Sequence, residues 1–191
     1  FSSKIEFKLF LSGDEISFPC VWKKTKFGYD GFGVKILKSI DDISELPDSE
    51  FIIEEYIPFQ KELATTSARN DSGQVEVFPI VDMSFNDESN QVEYVICPAQ
   101  ISSENMIQAK KTALSVSKSF GHTGILAVEM FLTKDNKVLV NEVAPRPHNS
   151  AHDSIEACMS SQFDQHIRYI LNLPLGCSKS NINAIMVNLV C

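Results

Sequence analysis

Apolar residues in this chain mostly come in short runs that end at turn residues, and two longer stretches carry a helical period. Residues 18–23 read as a short strand ending in a basic cluster. Residues 34–37 and 51–58 read as two more, the last ended by Pro58. With short helices between them, these strands make up the first third of the chain. Further strands are expected over 63–69, 74–79 and 92–96, separated by Asn70-Asp71-Ser72-Gly73 and by the polar run 86–90. Met106, Ala109, Ala113, Val116 and Phe120 form one stripe of a helix over 103–120, and Gly121 stops it. A second helix is expected from about Ala151, with Ile155, Met159, Phe163, Ile167 and Ile170 on one face and Leu173-Pro174 at its end. Residues 184–191 read as a buried strand. The pattern predicts an α+β fold with mainly antiparallel strands and a subdomain boundary near Pro58.

Between the two helical stretches lie the strands that carry charge. Leu126-Ala127-Val128-Glu129-Met130-Phe131-Leu132 and Leu139-Val140-Asn141-Glu142-Val143-Ala144 each place a carboxylate in an apolar run. Burying an unpaired carboxylate costs several kcal/mol or makes it take up a proton. A two-residue turn at Asp135-Asn136 would pair Lys134 with Lys137 and Phe131 with Val140, and set Glu129 opposite Glu142. Opposed side chains have Cβ atoms about 4.5–5.5 Å apart, and like charges there repel. A hard cation such as magnesium turns the repulsion into attraction. A longer loop would slide the register and bring Asn141 or another neighbour opposite. A solvated face, or pairing with Arg146, would also accommodate these acids.

Composition narrows the functional classes. The 191 residues carry a net charge of −8 with acids and bases dispersed, which argues against a nucleic-acid or membrane-surface binder. The five cysteines are scattered without metal-ligand spacing, so reduced packing thiols and a cytoplasmic location are expected. No signal peptide or membrane-length apolar run is present. The chain lacks an initiator methionine and ends in an apolar strand, as expected of a piece of a longer protein.

Three other constellations carry chemistry. Lys23 is followed by Phe27-Gly28-Tyr29-Asp30-Gly31-Phe32-Gly33, a glycine-rich turn whose N–H groups can wrap phosphate oxygens; a plain hairpin loop satisfies the same residues. Glu54-Glu55-Tyr56-Ile57, with Glu62 beyond, is a strand end that can offer backbone groups to an adenine edge and a carboxylate to ribose; a solvated rim is the plainer reading. Arg146-Pro147-His148-Asn149 leads into an expected helix start suited to an anion. His148 and His152 also have zinc spacing on a helix, but no glutamate lies between them to act as general base.

The order of these features resembles the ATP-grasp superfamily, and within it the 5-(carboxyamino)imidazole ribonucleotide synthase family. Four segments carry the resemblance: 18–23 leading to Gly28-Tyr29-Asp30-Gly31; Glu54–Ile57 with Lys61-Glu62-Leu63; 140–150; and Ser161-Gln162-Phe163-Asp164-Gln165-His166. It implies an ATP-grasp core with a small α/β lid subdomain over 1–57 and a larger, mainly antiparallel subdomain over 58–191. It implies ATP and Mg2+ as cofactors, bicarbonate and aminoimidazole ribonucleotide as substrates, and no nucleic-acid or membrane partner. A homodimer is the candidate assembly.

By the same resemblance, Lys23 contacts the nucleotide phosphates under the loop Gly28, Tyr29, Asp30, Gly31, Phe32, Gly33 and Val34. Glu54, Glu55, Tyr56 and Ile57 hold adenine, and Glu62 the ribose. Glu129 and Glu142 bind magnesium with Asn141 beside them. Arg146, His148 and Asn149 hold the reactive anion, and Tyr29 and Asp30 contact the aminoimidazole. Phe27, Phe32 and Phe85 depart from the family pattern. Another ATP-grasp ligase, such as a formate-dependent one, is the nearest alternative. A nucleotide-binding module without catalysis follows, and a zinc hydrolase is third. The family's N-terminal domain and C-terminal substrate-phosphate segment lie outside the resemblance. The 191 residues alone are therefore expected to give little or no product in an ATP-dependent carboxylation assay, and robust turnover would contradict this.

Overall fold

The computed structural model describes residues 17–26, 33–86 and 91–189, which fall into two compact units. One unit holds the described residues up to Ile57 together with Asn86 and Gln91; the other holds Pro58–Phe85 and the described residues from Val92 onward.

In the first unit β1 (Cys20–Lys24) lies between β2 (Val34–Leu37) and β3 (Phe51–Glu55), all antiparallel. A 3-10 turn over Ile40–Glu45 follows β2. Alternation on β1 puts Cys20 and Trp22 inside, where they pack with Leu37, Ile43, Leu46 and Phe51.

The second unit is built on an antiparallel sheet in the order β10-β7-β6-β4-β8-β9, with β5 paired to β4. Its strands are β4 (Phe59–Arg69), β5 (Val75–Val77), β6 (Val81–Phe85), β7 (Val92–Cys97), β8 (Gly124–Thr133), β9 (Val138–Ala144) and β10 (Ala184–Val187). Leu63, Leu126, Val128, Met130, Leu132 and Val138 project from one face onto Ala109 and Ala113 of α1 (Ser103–Ser119). On the opposite face Ala64, Val81, Met83 and Val95 form a second cluster. Helix α1 starts where expected because Ser102 accepts from the Asn105 N–H, and Gly121 at φ 58° follows it. Phe120 does not join the stripe and is exposed.

The expected second helix is broken. A 3-10 turn over Asn149–Ala151 is followed by α2 (Ser154–Ala157), an extended Cys158 bridged to Ser180, and α3 (Gln162–Ile170). The Ser161–Asp164 capping box starts a new helix where an uninterrupted one was expected. Its orientation is also inverted: Gln162 and Gln165 are 0% exposed, whereas Ile167 and Ile170 are 54% and 59% exposed. The last strand is likewise not buried. β10 is a sheet edge on which Ala184 and Met186 pack inward and Ile185 and Val187 are exposed.

The described cysteines are free thiols. Burial, reinforced by the Asp153 carboxylate, pushes Cys97 up to about 12 and Cys158 to about 11, which makes both inert at neutral pH. Among the described residues no helix is long and apolar enough to cross a membrane. Leu63 is fully buried at the centre of the larger core. Leu63→Ala should lower stability by about 2–5 kcal/mol with an unchanged denaturant m-value, as read from urea unfolding.

Candidate active site

The carboxylate hairpin is built differently from the expected one, yet it reaches the same pairing. Thr133 N–H donates to the Lys137 carbonyl (2.9 Å) and Asn136 N–H to the Thr133 carbonyl (3.0 Å), so the loop is Lys134-Asp135-Asn136. Asn136 sits at φ 59°, the left-handed residue a three-residue hairpin loop requires. The Lys137 ammonium, with help from the Thr133 hydroxyl, holds Asp135 down to about 2. Pairing then runs Leu132 with Val138, Phe131 with Leu139 and Met130 with Val140, one residue off the expected Phe131–Val140 register. A bulge between Met130 and Glu129 takes up the extra residue, and Glu129 lies opposite Glu142.

Met130 and Val140 share one face, and Glu129 and Glu142 share the other. Asn141 is the extra residue of the bulge, between Val140 and Glu142. Glu62, opposite both Phe131 and Met83, is on the face of Glu129 and Glu142 as well.

Beyond β9 the chain turns back over this face. The ligand atoms of Glu129, Glu142 and His148 all lie within 4.8 Å of one another. His148 is buried, and its Nε2 is 3.6 Å from Glu129 Oε1. The Ser150 backbone N–H points at His148 Nδ1 (3.4 Å). The Ser150 hydroxyl lies 2.9 Å from the same ring nitrogen. Asn149 Oδ1 is buried without a hydrogen-bond partner. Arg146 is exposed and donates to the Pro147 carbonyl at 3.1 Å.

These residues fit a small hard cation. Two carboxylates on opposed strand positions offer oxygen ligands, the Asn141 carboxamide is adjacent in sequence, and the imidazole Nε2 lies 3.6 Å from the Glu129 carboxylate. Sequence reasoning assigned His148 to the anion turn but did not bring it beside the carboxylates. Two other expectations are corrected. The anion turn opens a three-residue 3-10 turn with His148 at its cap, not a helix N-terminus. His152 is exposed against Phe163, so it and His148 do not share a helix face, and the zinc spacing has no structural counterpart.

In the other unit, Lys23 Nζ is 2.7 Å from Glu54 Oε2. Lys23 pairs with Val34 across the β1–β2 hairpin, and Gly33 (φ 89°) accepts from the Lys24 N–H. Glu55 ends β3, and Tyr56 and Ile57 follow it half-buried. Gly28, Tyr29, Asp30, Gly31 and Phe32, with Phe27, lie outside the described residues. Phe85 ends β6 against the second cluster.

Residues 4–163 match the model of the ATP-grasp domain family. The chain is 38% identical over 187 residues to phosphoribosylaminoimidazole carboxylase of Saccharomyces cerevisiae, an alignment covering 93% of this chain and 32% of that protein. It is 37% identical over 181 residues to N5-carboxyaminoimidazole ribonucleotide synthase of Synechococcus elongatus, covering 92% and 45%. The crystal structure of N5-carboxyaminoimidazole synthase from Aspergillus clavatus in complex with ADP and 5-aminoimidazole ribonucleotide superposes with a TM-score of 0.86 at 30% identity, covering 98% of this chain and 50% of that one. The chain thus spans about a third to a half of the length of these relatives.

The capping box ahead of α3 sets where that helix meets the His148 turn. The Ser161 N–H and hydroxyl hold the Asp164 carboxyl below its ordinary range. A lowered folded pKa contributes stability above the unfolded value, near pH 4, and loses it as the pH falls through the folded one. Asp164→Ala is expected to cost about 1 kcal/mol at pH 7, and the difference from wild type should shrink below about pH 4 in paired denaturation curves.

Proposed function

The chain belongs to the ATP-grasp family, and on that premise we propose that the protein carrying it is an ATP-dependent ligase that carboxylates aminoimidazole ribonucleotide with bicarbonate. The products are 5-(carboxyamino)imidazole ribonucleotide, ADP and phosphate. The observation that carries this reading is the opposed Glu129–Glu142 pair with the His148–Asn149 turn folded over it. The relatives that align over most of the chain support the choice of substrates.

Bicarbonate attacks the γ-phosphate of ATP, ADP leaves, and carboxyphosphate forms. The exocyclic amine of the ribonucleotide then captures the carboxyl group, directly or as released carbon dioxide, and phosphate departs. Phosphoryl transfer depends mainly on positioning and charge neutralisation. Glu129 and Glu142 would hold magnesium with Asn141 beside them, and the ion would supply that neutralisation at the phosphates. His148, with its Nε2 3.6 Å from Glu129 Oε1, would help orient that carboxylate. Lys23 adds a point charge for the nucleotide phosphates, Glu54 to Ile57 take the adenine, and Glu62 the ribose. The exposed Arg146 guanidinium suits the anion. The unpaired Asn149 Oδ1 suits a donor, either the bicarbonate hydroxyl or the attacking amine.

The test has two parts. The chain should be stabilised by ADP with magnesium and not by ADP with EDTA, by about 2.7 kcal/mol at 100 times the dissociation constant. That gain should vanish in Glu129→Gln. At full length, ADP formation should require bicarbonate and the ribonucleotide. Replacement of bicarbonate by formate would assign the protein to the formate-dependent ligases. Nucleotide binding without any turnover would make it a non-catalytic module.

A further inference from the structure

The anion turn has a support that no proposed ligand contact involves. Gln162, the first residue of α3, is 0% exposed and lies 14 positions along the chain from His148. Its carboxamide takes both backbone groups of His148. Oε1 accepts from the His148 N–H at 2.8 Å, and Nε2 donates to the His148 carbonyl at 2.7 Å. The Gln162 backbone N–H donates to Ser154 Oγ at 3.0 Å, and that hydroxyl donates to the Ala151 carbonyl. Residues 148–151 are thereby gripped at both ends by one glutamine and the serine it binds. A buried carboxamide is tolerated only when its donor and acceptor are both satisfied, and here the partner main chain satisfies both.

We propose that Gln162 is a positioning residue for the carboxylation step. It fixes the main chain of His148, so that the imidazole faces Glu129 and the unpaired amide oxygen of Asn149 stays where the anion or amine is received. This rests on the ligase reading above and adds to it the residue that presets the anion turn. The same helix supplies a built-in comparison. Gln165, also 0% exposed, makes the equivalent pair of bonds to Gly176, with Nε2 donating to the carbonyl at 2.6 Å and Oε1 accepting from the N–H at 2.9 Å. Gly176 has no room for a Cβ, which would come within 2.2 Å of Ser160 Oγ, and none of the proposed site residues lies on that loop. One clamp grips the proposed site, and the other grips only the fold.

The experiment compares Gln162→Glu and Gln162→Met with Gln165→Glu and Gln165→Met in the full-length protein. The glutamate variant keeps the acceptor and loses the donor. The methionine variant introduces no charge, so a folding defect from a buried carboxylate does not end the test. The Gln162 variants should lose about ten-fold or more in kcat/KM for bicarbonate and hydrolyse more ATP per product formed. Their affinity for magnesium–ADP should fall less than kcat/KM for bicarbonate does, because Gln162 reaches the proposed magnesium ligand Glu129 only through His148. The Gln165 variants should lose thermal stability while keeping the wild-type bicarbonate KM and ATP-to-product ratio. Parallel losses at Gln162 and Gln165, or wild-type bicarbonate kinetics in Gln162→Met, would overturn the positioning role and leave the ligase reading standing. Absence of bicarbonate-dependent ADP formation in the wild-type protein would instead reject the ligase reading, and the positioning role with it.

Discussion

Two glutamates facing each other across neighbouring strands are the constraint on which the rest of this structure turns. Glu129 and Glu142 are set opposite by backbone pairing, so their Cβ atoms stay close whichever way the carboxylates turn. The larger unit is arranged to keep that pair in place. One face of the sheet is covered by α1 over Leu63, Val128, Met130 and Leu132. The other face receives the turn after β9, and His148 Nε2 comes within 3.6 Å of Glu129 Oε1. Glu62 is presented on this same face by β4. Glu129, Glu142 and Glu62 thus lie on one face of the sheet, a set of carboxylates that would suit a divalent cation.

Much of this is legible in the amino-acid sequence, because the signals are local. Two carboxylates inside apolar runs of a hairpin point to the pair before any coordinates. Alternation and turn residues find most of the strands, and the Ser102 cap and Gly121 bound the first helix. The failures occur where distant residues decide. The expected two-residue turn is a three-residue loop held by Thr133 and Asn136, and a bulge farther along returns the same opposition. The pairing was therefore expected from a turn the protein does not use. The stripe Ile155, Met159, Phe163, Ile167 and Ile170 has helical spacing but does not form one buried face. Ser161 restarts the helix, and the backbones of His148 and Gly176 claim its polar edge. No periodicity reveals that a glutamine is needed inward, since the demand comes from unpaired peptide groups on other segments. Strand β6 also escapes notice: Asp82 interrupts its apolar run, and its charge is met by Lys61 of β4.

Helix α3 illustrates how polar groups can organise a core. Apolar packing would have filled the space beneath it, but it would have left the main chain of the anion turn without partners, at a cost comparable to the hydrogen bonds forgone. Carboxamides are suited to this position because one side chain supplies a donor and an acceptor at peptide spacing. The Ser161–Asp164 box then sets the helix start, which determines where both glutamines fall.

The bulge at Asn141 also changes how many ligating groups a strand can bring to one point. In a regular strand, side chains on the same face are two residues apart, roughly 6.6 Å. Consecutive Cα atoms are separated by only about 3.8 Å. The bulge sets Asn141 as the extra residue of β9 immediately before Glu142, while Glu129 faces Glu142 from β8. On the proposed reading, a single inserted residue would bring an oxygen donor next to the carboxylate pair without a separate metal-binding loop.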